Sequence, residues 1–83
     1  MADDGLTDVK ALISGTFYRA SSPDVPPFVE VGTAVRKGQT LGLLESMKLF
    51  SKIKAPHDGV VRAIDTQNTE QVNVGQRLFR LSR

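Results

Sequence analysis

From Val9 onward the apolar residues come in short runs rich in Val, Ile, Leu and Phe, each broken by Gly or Pro within a few positions. Such runs, bounded by turn formers, predict strands over residues 9–14, 16–19, 28–29, 41–46, 49–54, 59–64 and 77–81. Gly15, Gly32, Gly38, the stretch Pro56-His57-Asp58-Gly59 and Gly75 supply the breaks. No window keeps a helical apolar period over the roughly ten residues a helix needs. Leu41, Leu44 and Lys48 could share one helix face, but Gly42 and the flanking strand signals argue against it. Seven or eight short strands point to a small all-β sandwich or barrel over residues 9–83. Residues 1–8 are polar, acidic and contain Gly5, and are expected to be a flexible tail.

Between the strands at 41–46 and 49–54 only Met47-Lys48 remains for a turn. A two-residue loop there pairs Ser46 with Leu49, Glu45 with Phe50, Leu44 with Ser51, Leu43 with Lys52 and Gly42 with Ile53. One face of the hairpin then carries Gly42, Leu44, Ser46, Leu49, Ser51 and Ile53, without a charge. The other carries Leu43, Glu45, Phe50, Lys52 and Lys54. This segregation is what a half-buried hairpin requires. The turn itself breaks the usual rule, because two-residue loops favour Asn-Gly or Asp-Gly, whose backbones accept positive φ at both positions. Met-Lys puts strain and an exposed thioether where neither helps folding, and such local violations are where function is expected. On local physics alone, Lys48 is either a functional group or an ordinary solvated lysine.

The second half of the chain echoes the first. Val35-x-x-Gly38-Gln39-x-Leu41-x-x-Leu44 recurs thirty-seven residues later as Val72-x-x-Gly75-Gln76-x-Leu78-x-x-Leu81. Gly15-Thr16-Phe17 aligns with Gly59-Val60-Val61 at an offset of forty-four. The difference, 44 − 37 = 7, means that the first half carries seven extra residues. Ser21-Ser22-Pro23-Asp24-Val25-Pro26-Pro27 is dense in turn formers and has no counterpart after Ile64, so the insertion is placed there. Neither half can bury its apolar face alone, whereas two halves packed together enclose one core.

Composition narrows the chemistry. There is no Cys, one His (His57) and one Tyr (Tyr18) in 83 residues, which excludes disulfides, thiolate metal sites and a Cys nucleophile and leaves few parts for acid–base catalysis. His57 lies in a Pro-His-Asp-Gly turn and is expected to be solvated. The net charge of +2 arises without a basic stripe interleaved with aromatics, so no nucleic-acid partner is expected. The longest apolar run, Leu41-Gly42-Leu43-Leu44, is far too short to span a membrane, and the acidic N-terminus is not a signal peptide. An intracellular chain that is not an enzyme by itself is expected.

Glu45-Ser46-Met47-Lys48 resembles the attachment motif of biotinyl domains, usually Glu-Ala-Met-Lys-Met or Glu-Ser-Met-Lys-Met. Gly15-Thr16-Phe17-Tyr18-Arg19, followed by Ser22-Pro23-Asp24 and Phe28-Val29-Glu30-Val31-Gly32, is similar to the biotin carboxyl carrier group of bacterial or plastid acetyl-CoA carboxylases. In that group a short "thumb" sits where the seven-residue insertion falls here. The resemblance runs from about Val9 to Leu81. Two departures stand out: Leu49 and Phe50 follow the lysine where Met is common, and Ser46 replaces the more frequent Ala. Carriers of this group usually have a longer N-terminal part with a Pro/Ala-rich linker, so an excised domain and a short stand-alone carrier are both open.

The resemblance implies a barrel-sandwich hybrid of two quasi-two-fold-related halves, with a thumb at about 21–27. It implies covalent biotin on Lys48, with Glu45, Ser46 and Met47 completing the motif. Ser21, Ser22, Pro23, Asp24, Val25, Pro26 and Pro27 become the candidate contacts for the biotin ring or for partners. The implied partners are a biotin protein ligase, a biotin carboxylase subunit and carboxyltransferase subunits, with no nucleic acid and no membrane. The implied role is a non-catalytic carrier that moves biotin between a biotin carboxylase site and a carboxyltransferase site of an acetyl-CoA carboxylase, the enzyme that makes malonyl-CoA for fatty acid synthesis, in the cytoplasm or, in a plant, the plastid. A lipoyl carrier of a 2-oxoacid dehydrogenase is the first alternative, although lipoyl domains usually have Asp before the lysine, where this chain has Met47. An unmodified biotinyl-like regulatory domain is the second, against which the presence of Lys48 argues.

Overall fold

The short apolar runs form antiparallel strands in two layers. The computed structural model describes residues 5–83, none of them helical. Their strands are β1 (Leu6–Lys10), β2 (Gly15–Tyr18), β3 (Ala34–Val35), β4 (Thr40–Ser46), β5 (Leu49–Lys54), β6 (Gly59–Ile64), β7 (Gln71–Val72) and β8 (Arg77–Ser82). Two four-stranded sheets result, ordered β1-β8-β6-β3 and β5-β4-β2-β7. Adding the repeat offsets exchanges β1 with β5, β8 with β4, β6 with β2 and β3 with β7, so each sheet maps onto the other.

The repeat extends to individual hydrogen bonds. Gln39 N–H donates to Arg36 O at 2.9 Å and Gln76 N–H to Asn73 O at 3.0 Å, each closing a turn around a glycine at φ 85° (Gly38) or 88° (Gly75). Within those turns Gln39 Oε1 accepts from Arg36 N–H at 3.0 Å, and Gln76 Oε1 from Asn73 N–H at 3.1 Å. Across the halves, Gly38 N–H donates to Ala55 O at 2.8 Å and Gly75 N–H to Ala11 O at 2.7 Å. The Val-x-x-Gly-Gln signature is therefore a turn that satisfies its own backbone and latches to the other half. One equivalence is uneven: Thr69, at φ 69°, occupies the position of Gly32, at φ 98°. A β-branched residue is strained in this left-handed region.

The core breaks the symmetry. Phe17 and Phe79 are both fully buried and meet edge-to-face, with centroids 5.7 Å apart. Their repeat counterparts are Val61 and Gly42. Each half thus gives one aromatic, from non-equivalent positions, and a smaller residue opposite makes room. Leu41, Leu78 and Leu81 are also fully enclosed. The register slips between Thr40 and Gly42, so Leu41 and Gly42 are both buried where simple alternation would expose one.

Three expectations shift. The first strand begins at Leu6, paired with Ser82, rather than at Val9. Asp8 in this strand meets Arg80 of β8 at 3.1 Å, so residues 6–8 are strand and not tail. Residues 1–4 of the expected tail lie outside the described residues. Residues 28–29 form no strand, because Pro26 and Pro27 immediately before them supply no backbone donors to a ladder. Val29 is instead a core plug, 3% exposed. His57 is not simply solvated: its Nδ1 lies 2.7 Å from Asp58 O and its Nε2 2.9 Å from Thr7 Oγ1. In the neutral ring Nδ1–H donates to the carbonyl and the Thr7 hydroxyl donates to Nε2, which ties the turn to β1.

Candidate functional site

The β4–β5 hairpin forms in the register that its polar and apolar pattern predicts, from Gly42 with Ile53 to Ser46 with Leu49. Burial fades along it. Leu44 and Ile53 are in the core, while Leu49, on the same face, is 73% exposed. The tip is the Met47-Lys48 turn, with φ of 53° and 66°, the two positive values of a type I′ turn. For L-residues this conformation costs about 1–2 kcal/mol each. Met47 is 91% exposed, so its thioether gains nothing from packing. Lys48 is exposed, and no ion pair or side-chain hydrogen bond holds it among the described residues.

This strain makes a test of the tip. The double variant Met47→Asn/Lys48→Gly, with the preferred I′ residues, is expected to raise the urea-unfolding free energy by about 1 kcal/mol. A decrease would show that the Met-Lys pair supports the fold.

Behind the tip, Tyr18 of β2 and Phe50 of β5 pack with ring centroids 6.0 Å apart. The Tyr18 hydroxyl donates to Glu45 Oε1 at 3.0 Å. That hydrogen bond is the main reason the Tyr18 pKa is raised above the usual phenol value, with partial burial and the Glu45 charge adding to it. Glu45 is thus held in place. Ser46, beside it, is half-buried at the end of β4.

Residues 21–27 project from the end of β2. Phe28 N–H donates to Arg19 O at 2.8 Å and closes the base of the projection, while Val25 N–H to Ser22 O at 3.3 Å makes a turn within it. Arg19 braces the base: its guanidinium donates to Val29 O and to Glu30 Oε1, both at 3.0 Å. Its backbone N–H donates to Asn68 Oδ1 at 2.9 Å, so a loop of the second half pins the insertion of the first. Between this projection and the hairpin lies a cleft of about 400 Å³, lined by Tyr18, Ser21, Ser22, Pro23, Glu45 and Phe50, with Asn68 and Thr69 at its back.

Of the residues singled out in sequence, Glu45, Ser21, Ser22 and Pro23 come together at this cleft. Asp24, Val25, Pro26 and Pro27 do not line it, and Met47 and Lys48 stand beyond it on the turn. Sequence reasoning missed Tyr18, Asn68 and Thr69. Tyr18 could have been found from strand parity, since pairing β2 with β4 places it opposite Leu43 on the outer face. Asn68 and Thr69 carry no local signal; only the repeat, aligning Thr69 with Gly32, marks that turn. Among the described residues there is no His, Asp and Glu cluster suited to a metal ion, and no helix is long and apolar enough to cross a membrane.

Comparison with known proteins agrees with this geometry. The family described as "Biotin-requiring enzyme" matches residues 7–81. A biotin carboxyl carrier protein of acetyl-CoA carboxylase from Streptococcus pyogenes serotype M6 is 45% identical over 73 residues, covering 88% of this chain and 44% of that protein. A chloroplastic one from Arabidopsis thaliana is 41% identical over 78 residues, 94% of this chain and 28% of that protein. The chain therefore spans less than half the length of either relative. A single-chain, multi-domain long-chain acyl-CoA carboxylase superposes with a TM-score of 0.80 at 23% identity, over 100% of this chain and 8% of that one. The Kluyveromyces lactis urea carboxylase gives 0.80 at 22%, over 98% and 6%. At that identity the two structures speak for the fold, a flattened barrel-sandwich, and the family match covers nearly every described residue: the chain belongs to the biotin/lipoyl family of biotin-requiring enzymes.

Proposed function

We propose that the chain is a biotin carrier, with biotin joined through an amide to Lys48 Nζ and moved between a biotin carboxylase site and a carboxyltransferase site of an acetyl-CoA carboxylase. The observation that carries this reading is the Met47-Lys48 turn: a strained I′ turn without Asn or Gly, at the exposed end of a hairpin, whose lysine has no partner among the described residues. The residues fit the group. An exposed amine on a two-residue turn can enter a ligase active site without disturbing the core, and amide formation removes one positive charge from the tip. Biotin supplies a ureido nitrogen that accepts and releases carbon dioxide, chemistry that no side chain offers.

The chain's own contribution is to present the lysine and hold the cleft behind it. Glu45, fixed by Tyr18, and Met47, at 91% exposure, are the motif residues a ligase would read. Ser21, Ser22 and Pro23 face the hairpin across the cleft and are the candidate contacts for the ring; Asp24 to Pro27 hold the shape of the thumb, with three prolines limiting its conformations. Tethering one group that visits two sites replaces diffusion by a high effective concentration. The partners are then a biotin protein ligase, a biotin carboxylase subunit and carboxyltransferase subunits, in the cytoplasm or a plant plastid. The names of the Streptococcus and Arabidopsis relatives support the acetyl-CoA carboxylase assignment.

Modification at Lys48 is the primary test and is taken up in the Discussion. The thumb is tested separately. Deleting residues 21–27 returns the first half to the length of the second, so the variant is expected to fold. Its carboxyl-transfer rate, measured with purified partner subunits, is expected to fall about tenfold or more through lost positioning. Unchanged transfer would make the insertion an ordinary surface loop.

A further inference from the structure

β1 and β5 are related by the internal repeat and are end strands of their two sheets. Between them runs a groove of about 530 Å³, to which neither the Met47-Lys48 turn nor the thumb contributes. Its walls are apolar, with Ile13 and Ile53 partly or fully buried and Leu12 87% exposed. Lys10, Lys52 and Lys54 border it, and no carboxylate of the described residues lines it. None of these three lysines has an ion pair among the described residues. On the neighbouring β8, by contrast, Arg77 meets Asp65 at 2.9 Å and Arg80 meets Asp8 at 3.1 Å.

Lysines on a sheet edge can serve simply to stop two copies from pairing. Leu12 works against that purpose, since a large aliphatic side chain at the mouth of the groove invites contact. Aliphatic walls inside an unmatched cationic rim complement a segment that offers the reverse: an aliphatic side chain flanked by carboxylates. The end position of β5 adds a backbone edge to which an extended segment can pair.

We infer that the groove between β1 and β5 docks an extended acidic segment of a carboxylase partner, one aliphatic side chain lying between Leu12 and Ile53 and carboxylates meeting Lys10, Lys52 and Lys54. That the partner is a carboxylase component rests on the carrier reading above. Docking at this flank leaves the hairpin tip and the thumb cleft open, so a carrier held here keeps Lys48 free to move between sites.

The test is a titration of the 15N-labelled 83-residue chain with the capped peptide Glu-Leu-Glu-Val-Glu-Leu-Glu, followed by NMR, with a peptide in which every Glu is Lys as the control. Shifts are expected at Leu12, Ile13 and residues 51–54, for the acidic peptide only and weakening with salt. Leu12→Asp and the pair Lys52→Glu/Lys54→Glu are each expected to weaken binding about tenfold or more. All three side chains are exposed, so the variants should fold, and thermal unfolding checks it. No shifts, shifts centred on the thumb cleft, equal binding of the Lys peptide, or sedimentation showing a dimer that fills the groove would each overturn the inference. Peptide binding does not require a modified Lys48, so failure here and failure of the carrier reading are distinguishable.

Discussion

Lys48→Arg is expected to abolish biotinylation completely while leaving the fold and its stability intact. The side chain is exposed and has no partner among the described residues, and substitutions at such positions usually shift stability by no more than about 0.5 kcal/mol. Arg keeps the charge and most of the length. It cannot replace the lysine as a nucleophile, because its guanidinium stays protonated at any accessible pH. Co-expression with a biotin protein ligase, followed by intact-mass measurement, should show one biotinyl adduct on the parent chain and none on the variant. Lys10, Lys37, Lys52 and Lys54 remain as internal controls: none of them lies in the two-residue loop of a hairpin, and none has a positive φ. An adduct that persists in Lys48→Arg would move the site to one of these, and no adduct with any ligase would sink the carrier reading. A lipoyl adduct would instead favour the 2-oxoacid dehydrogenase alternative despite Met47.

Phe79→Ala is expected to cost about 3–5 kcal/mol, the usual range for removing a buried aromatic. Phe79 is completely enclosed and gives Phe17 its edge-to-face partner. At roughly 0.05–0.15 kcal/mol per residue an 83-residue domain has about 4–12 kcal/mol in total, so this one change removes a large part of it. The melting temperature should fall by roughly 12 °C or more, read by circular dichroism. Moving the ring to the equivalent position of the other half does not restore it. In Gly42→Phe/Phe79→Gly, a Cβ at position 42 would stand 3.0 Å from the Phe17 ring and 3.1 Å from Tyr18 O, so the core should stay broken. A loss below about 1 kcal/mol for Phe79→Ala, against the usual range for a buried aromatic, would mean that the two aromatics do not close the core.

The hairpin register was legible because side chains alternate across a strand: once Met47-Lys48 is the loop, a slip of one residue would turn Lys52 inward and Ile53 outward. The requirement for positive φ at both turn positions followed from the two-residue length alone. The insertion at 21–27 followed from subtraction of two repeat offsets. Other features were out of reach. Two-residue strands such as β3 and β7 have no periodicity to detect, and β1 was displaced because Thr7 and Asp8 look polar until Leu81 and Arg80 are placed opposite them.

Sequence by itself determined the doubled architecture, the hairpin, the odd turn and the lysine on it, because these depend on local periodicity and on backbone rules within a few residues. Only the tertiary structure decided which residues stand behind that lysine. The Tyr18–Glu45 bond spans 27 positions and the Arg19–Asn68 bond 49, and no local pattern encodes such contacts. It likewise decided that Leu12 and Lys10 share a groove with Lys52 and Lys54, residues joined only when the two halves pack edge by edge. Periodicity assigns each side chain a face of its own strand; which faces meet is settled by burying Phe17 and Phe79 together.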